Sequence, residues 1–349
     1  MTQCSWWMSG ARSALCTLWL VGCIGSAGRG SPLEPPPSDD DDSAETVSLG
    51  SVSEVGDCES PEETSCQTVR VVCEGLQDLT VDLVVAEPES ASSFLGTVVL
   101  NSGTGGTIFY NAQTMGNLRT RGFRVVNRRW GEGGWPSGTA GMAGAACRSA
   151  TLLSWLRDRY VADGPLCATG NSGGSAEIGY VLTHWGGGTL LDAAVLSGGP
   201  PLSRLDLGCE AGQEWQDLCA EVVPAEICSD GVLDCDYNAG NHDFIDDAFE
   251  GTPCSDGGPA DLLLANSLLS EDAVLSYPDT PLHFVFGTAD CSSAIPHGYL
   301  FAEAVTSTAE IEVASAPHGV FNTPDGRSAI VGALESLCVC RHNDCPPSR

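Results

Sequence analysis

The stretch "LCATGNSGGSAEIGY" (166–180) sets a serine, Ser172, among glycines between two apolar runs of different period. "GPLCATG" (164–170) reads as a short buried strand, and "GSAEIGYVLTHWG" (174–186) reads as a helix. Gly170, Ser172 and Gly174 therefore form a G-x-S-x-G turn between strand and helix. So tight a turn needs small neighbours, and Gly173 adds a third. The same motif cannot be centred on Ser175, because Glu177 would stand where a glycine is required. A helix N-terminus behind Ser172 would favour negative charge at an attacking oxygen.

Around this turn, strands alternate with helices. "CQTVRVVCEG" (66–75) and "DLTVDLVVAE" (78–87) read as a hairpin. Strands follow at "GTVVLNSGTGGT" (96–107, running into a glycine loop), 122–130, 190–199, 281–290 and 309–319. Helices are expected over 139–160, near 297–306 and over 328–338. This alternation predicts an α/β chain with a mainly parallel, doubly wound sheet covered on both faces. A long irregular segment, about 202–277, interrupts the pattern and holds five cysteines.

A serine hydroxyl needs a base and an acid that orients the base. Both arrive downstream of Ser172, each just past a strand: Asp290 after "HFVFGT" and His318 after "IEVASAP". His297 is the rival base, but it follows Asp290 by only seven residues. His184 and His242 read as surface or packing residues, His283 as core, and Asp192 as structural.

These pieces resemble the α/β-hydrolase family over about 66–338, through "GNSGG", "FGTAD", "APHG" and the loop "NSGTGG". The resemblance implies a serine esterase or lipase-like enzyme with Ser172 as nucleophile, Asp290 as acid and His318 as base. The backbone N–H of Gly173 is implied as one oxyanion donor, with a second from Thr104 or Gly103. The loop departs from the family's H-G-G-G pattern, since Asn101-Ser102 stands where a histidine is common. Asn171 stands where the family often has His, Glu or Asp, which points to a link with the substrate. In this family an insertion at 202–277 serves as a lid or substrate cap. The resemblance implies no cofactor. Peptide cleavage on the same fold, or a surface-binding module without activity, are the alternatives.

Composition narrows the setting. The chain of 349 residues has 15 basic and 46 acidic residues, a formal charge of −31 and no lysine. Such charge repels phosphate backbones and excludes nucleic-acid binding, and without lysine there is no P-loop. Five of the arginines crowd 119–130, which reads as an edge of arginine–carboxylate pairs. Fourteen cysteines lie between Cys58 and Cys345 without a C-x-x-C pair. That favours disulfides, up to seven, in an oxidising compartment. Five in the insertion is an odd number, so at least one should bridge outside it if all are oxidised. Cys291, beside Asp290, is expected to pin the acid loop. Asp234, Asp236 and Asn238 form a weak calcium pattern, with Gly240 one place late and Ile245 where a loop of that kind has Glu.

The first 22 residues read as a lipoprotein-type signal peptide, with an apolar core over 13–22. "LVGC" resembles a bacterial lipobox ending on Cys23, which would carry the lipid. Cleavage after Ala27 is the alternative. Residues 23–57 then read as anchor and as a disordered acidic, proline-rich linker, and 58–349 as the hydrolase domain. The chain is expected to be exported, either to the cell envelope through Cys23 or as a secreted protein. It is expected to be a monomer acting on a small ester or acyl substrate.

Overall fold

The computed structural model describes residues 48–338, except 60–63, 91–93, 161, 163 and 308. The elements run β1 (Ser51–Asp57), β2 (Ser65–Val72), β3 (Leu79–Ala86), β4 (Gly96–Asn101), α1 (Ala112–Arg121), β5 (Phe123–Trp130), α2 (Gly141–Ala145) and α3 (Cys147–Tyr160). They continue β6 (Leu166–Asn171), α4 (Gly173–His184), α5 (Gly187–Leu190), β7 (Ala193–Ser197), α6 (Leu205–Glu210) and α7 (Gln213–Val222). Last come α8 (Ala239–Asp246), α9 (Ala260–Ala265), β8 (Leu282–Gly287), α10 (Ala294–Ala304), β9 (Ala309–Ala314) and α11 (Pro324–Leu337).

The strands form one nine-stranded sheet in the order β1-β2-β3-β5-β4-β6-β7-β8-β9. The hairpin side is antiparallel through β3 and β5, and from β5 to β9 every pairing is parallel. Strands β4, β6, β7 and β8 are buried at every residue, as parallel strands covered on both faces must be. One face packs on α3, α4, α10 and the insertion around Trp135, Tyr180 and Phe284. The other packs on α1 and α11 around Leu118, Phe123 and Leu334. The expected α/β architecture is therefore present.

Several elements differ from the sequence reading, among them the helices α6 to α9 within the segment read as irregular. Residues 51–57, assigned above to the disordered linker, form edge strand β1 against β2. Their side chains are mostly exposed, so the segment is held by backbone pairing, which a polar composition does not reveal. Helix α1 was not expected, because only Met115 and Leu118 give it a large apolar side. Its ends carry it instead. The Asn111 side chain accepts from the Gln113 and Thr114 N–H groups, and left-handed Gly122 (φ 104°) closes the C-terminus. The helix expected over 139–160 is divided at Ala146 into α2 and α3.

Six disulfides join Cys58–Cys66, Cys73–Cys147, Cys167–Cys338, Cys209–Cys254, Cys219–Cys235 and Cys228–Cys291. Two lie inside the insertion, and the fifth insertion cysteine reaches out to Cys291 as expected. The arginines of 119–130 are paired: Arg121 with Glu335, Arg124 with Glu87, Arg128 with Glu177 and Arg129 with Asp82. Arg119 donates to the Glu87 carbonyl. Among the described residues no helix is long and apolar enough to cross a membrane. Residues 1–22, Cys23, Cys340 and Cys345 lie outside the described residues.

The insertion is held to the body by an aromatic sandwich. The His297 ring, on α10, lies between Trp215 (4.5 Å) and Tyr237 (4.8 Å) and is fully buried. Burial, with the nearby Arg204 charge adding to it, pushes the His297 pKa down to about 3. Below its ordinary value of about 6.5 the unfolded chain binds a proton here that the folded chain refuses. Stability from this site is thus complete above pH 6.5 and lost as pH falls toward 3. We expect His297→Phe to flatten the pH dependence of urea unfolding in that window by about 1.4 kcal/mol per pH unit relative to the parent. Identical slopes in the two proteins would contradict the assignment.

Candidate active site

Strand β6 ends at Asn171 and α4 starts at Gly173, so Ser172 alone makes the turn. It does so at φ 55° and ψ −123°, a strained conformation for a residue with a side chain. The turn is held by backbone bonds. Ser172 N–H donates to Ser197 O (2.9 Å), and Ser172 O accepts from Ser175 N (2.9 Å) and Ala176 N (3.0 Å). The Ser172 hydroxyl does not cap α4. Ser175, by contrast, is fully buried and bonds back to the Ser172 carbonyl.

The glycines are required by contact. A side chain on Gly170 would overlap the Gly174 carbonyl, one on Gly174 would overlap the Asn101 carbonyl, and one on Gly173 would overlap Thr104. The loop after β4 thus lies directly on the turn. A Cβ on Gly173 would come within 2.6 Å of the Thr104 nitrogen, and one on Gly103 within 3.5 Å of the Ser172 Cβ. Thr104 itself holds a left-handed φ of 52°.

The acid and histidine loops leave β8 and β9 side by side. Thr288 N donates to Ala314 O (2.9 Å), and Ala289 N to Ala316 O (3.0 Å). Across this junction His318 Nδ1 donates to Asp290 Oδ2 at 2.8 Å. The Asp290 side chain is fully buried, whereas that of His318 is 38% exposed. The other carboxylate oxygen, Oδ1, accepts from Ser292 N (3.0 Å) and Ser292 Oγ (2.7 Å). Ser292 Oγ also lies 3.1 Å from His318 Nδ1 and accepts a share of its proton. The Cys228–Cys291 disulfide and two backbone bonds, Cys228 N to Thr288 O and Asp234 N to Cys291 O (both 2.8 Å), tie the acid loop to the insertion.

Asn171 joins the histidine loop to the turn. Its Oδ1 accepts from Val320 N (3.2 Å) and Ser197 Oγ (3.2 Å). At Gly198 a Cβ would fall 2.6 Å from His318 O and 3.3 Å from Asn171 Oδ1. The expected link between Asn171 and the substrate is therefore corrected: the side chain is buried and its oxygen is engaged by the histidine loop. The bonding of Asn171 and of Ser292 was not foreseen, although a short polar residue two places after an aspartate is a turn signal.

The rival residues are engaged elsewhere. The His297 ring is stacked as described, with Nδ1 accepting from Arg204 N at 3.4 Å. His184 stacks on Tyr180 and bonds Ser267 O. His283 is buried in β8 between Glu310 and Glu312 of β9. His242 lies in α8, and Asp192 binds Arg157 and Leu166 N. The residues of the calcium pattern make protein contacts of their own. Asn238 caps α8, Asp236 takes Gln216, and the Asp234 backbone N–H is bonded to Cys291. Among the described residues no group of three His, Cys, Asp or Glu side chains could hold a metal ion.

No family model matches the chain, and no curated protein matches it by sequence. Solved structures do. Brefeldin A esterase, a bacterial homologue of human hormone sensitive lipase, aligns over 81% of this chain and 79% of its own at 14% identity, with TM-score 0.50. The Pyrobaculum calidifontis esterase aligns over 79% and 86% at 16% identity, with TM-score 0.49. The Pyrococcus horikoshii acylaminoacyl peptidase aligns over 86% of this chain at 10% identity, with TM-score 0.46, and the chain spans 44% of that protein's length. With its sheet order, its strand–serine–helix turn and its likeness to the brefeldin A esterase, this chain has the fold of the α/β-hydrolases.

Proposed function

We propose that the protein is an exported serine hydrolase that cleaves carboxylic esters through a Ser172–His318–Asp290 triad and an acyl-enzyme. The observation that carries this reading is the 2.8 Å bond from His318 Nδ1 to buried Asp290, on a loop tied by Asn171 to the strained Ser172 turn. Because a carboxylate only accepts, Nδ1 carries the proton and Nε2 is left as the base.

In the first half of the reaction, Ser172 Oγ bonds to the ester carbonyl carbon while His318 Nε2 takes the hydroxyl proton. The carbonyl electrons move onto oxygen, and the N–H groups of Gly173 and Thr104 donate to that oxyanion. Thr104 is preferred to Gly103 because its backbone lies directly against Gly173. The carbon–oxygen bond to the alcohol then breaks and His318 returns the proton to the leaving oxygen. In the second half water attacks the acyl-enzyme with His318 again as base, releasing the acid and restoring Ser172. Asp290 stays ionised throughout and stabilises the imidazolium.

Export is supported by six disulfides among the described residues. Attachment through a lipid on Cys23 and a monomeric state belong to the same proposal. An ester or acyl compound is the proposed partner, with no nucleic acid and no cofactor.

Two measurements test the reading. Short p-nitrophenyl esters should be turned over and a fluorophosphonate should label the protein, and Ser172→Ala should abolish labelling and lower kcat at least about 10⁴-fold. Activity retained in Ser172→Ala would remove the serine from the reaction, and turnover of peptides alone would replace the esterase by a peptidase. Separately, Asn171→Ala should lower kcat roughly tenfold while KM stays within about twofold, since it displaces the base and not the substrate. A change in KM alone would return Asn171 to substrate binding.

A further inference from the structure

Beneath the turn lies a charged pair that the reaction does not use. Arg128 of β5 and Glu177 of α4 form an ion pair, each residue 1% exposed. Apolar side chains surround it, with Val99, Leu152, Leu153, Ile178 and Val181 lining the small cavity at its edge. Taking two charges out of water is costly, and apolar chains of similar volume would generally serve packing as well or better. The pair therefore calls for a reason other than core filling.

Its remaining bonds supply one. Arg128 Nε donates to Asn101 Oδ1 (2.7 Å), at the end of β4 where the loop begins. Asn101 Nδ2 donates in turn to Thr169 O (3.0 Å), three residues before Ser172. Glu177 Oε1 accepts from Trp130 Nε1 (3.0 Å) and from Ser149 Oγ. The Trp130 backbone N–H donates to Gly106 O (2.9 Å), where the loop ends. Gly106 has φ 72°, and a Cβ on it would lie 2.7 Å from Arg128 Nη1, so the guanidinium occupies the place of its side chain. Both ends of the loop that carries Thr104 are thus fastened to one ion pair, whose acidic member rides on the helix that starts at the serine.

We propose that Arg128 and Glu177 are positioning residues that hold the Thr104 peptide against the Ser172–Gly173 turn, setting the second oxyanion donor before substrate arrives. This rests on the serine-hydrolase reading above. It assigns to the pair an effect on the transition state, where the oxyanion forms, and not on ester binding.

The test compares the parent with Arg128→Met/Glu177→Leu, with Asn101→Ala and with Ser172→Ala. Each is assayed on p-nitrophenyl butyrate with melting temperatures recorded, kcat being expressed per serine titrated by fluorophosphonate or, for Ser172→Ala, per mole of protein. The paired substitution should keep or raise the melting temperature, leave KM within twofold and lower kcat per titrated site tenfold to hundredfold. Asn101→Ala leaves the ion pair intact and cuts one of its two ties to the loop. It should give a loss of the same kind, and it keeps the inference open to refutation if the paired variant does not fold. Unchanged kcat per titrated site in a folded variant, including the case where only the titre or the melting temperature falls, overturns the inference. Activity in Ser172→Ala overturns the serine reading instead, so the two failures are told apart.

Discussion

At the carboxyl ends of β4 and β6 two stretches of bare backbone press against each other. Gly173 and Gly174 have no side chains because Thr104 and Asn101 occupy that space. The parallel pairing of β4 with β6 sets Asn101 beside Gly170, so loop and turn leave the sheet at the same level. In open α/β sheets the strand ends are where ligands bind, since loops diverge there and helix N-termini face the opening. The strained Ser172, the buried Asn171 and the crossing of the histidine loop at Gly198 gather at these same strand ends. A single methyl group on Gly173 would force the loop away and separate the two N–H groups proposed to bind the oxyanion.

The fold was legible because fully buried parallel strands read as apolar runs, and β4, β6, β7 and β8 are of that kind. Ser172, Asp290 and His318 were legible because each sits just past a strand end in chain order. Side-chain bonding was not. Asn171 looked like a residue facing the substrate, since sequence shows the turn but not which way an amide points. Arg128 sat within an arginine cluster read as a surface edge, and its burial depends on Glu177, 49 residues on. Strand β1 was hidden by a composition suited to a linker, because an edge strand can be held by its partner's backbone alone.

The insertion contributes differently from the sheet. It shares the main core through residues such as Leu205, Ile245 and Leu268, and adds covalent and aromatic fastening: two internal disulfides, the Cys228–Cys291 bridge and the His297 sandwich. The bridge lands next to Asp290, so the segment proposed as a cap is tied directly to the acid loop. Glu177 and Asp290 illustrate two ways of burying a carboxylate. Burial pushes the Glu177 carboxyl up against the opposing pull of Arg128, while Asp290 is met by donors at both oxygens.

The most direct measurement is a crystal structure of the protein after reaction with a phosphonate ester, whose tetrahedral phosphorus mimics the proposed intermediate. The account predicts phosphorus bonded to Ser172 Oγ, one phosphoryl oxygen within about 3 Å of both the Gly173 and Thr104 nitrogens, and His318 Nε2 close to the remaining oxygen. An adduct on another residue, or a phosphoryl oxygen turned away from the Gly173–Thr104 contact, would contradict it.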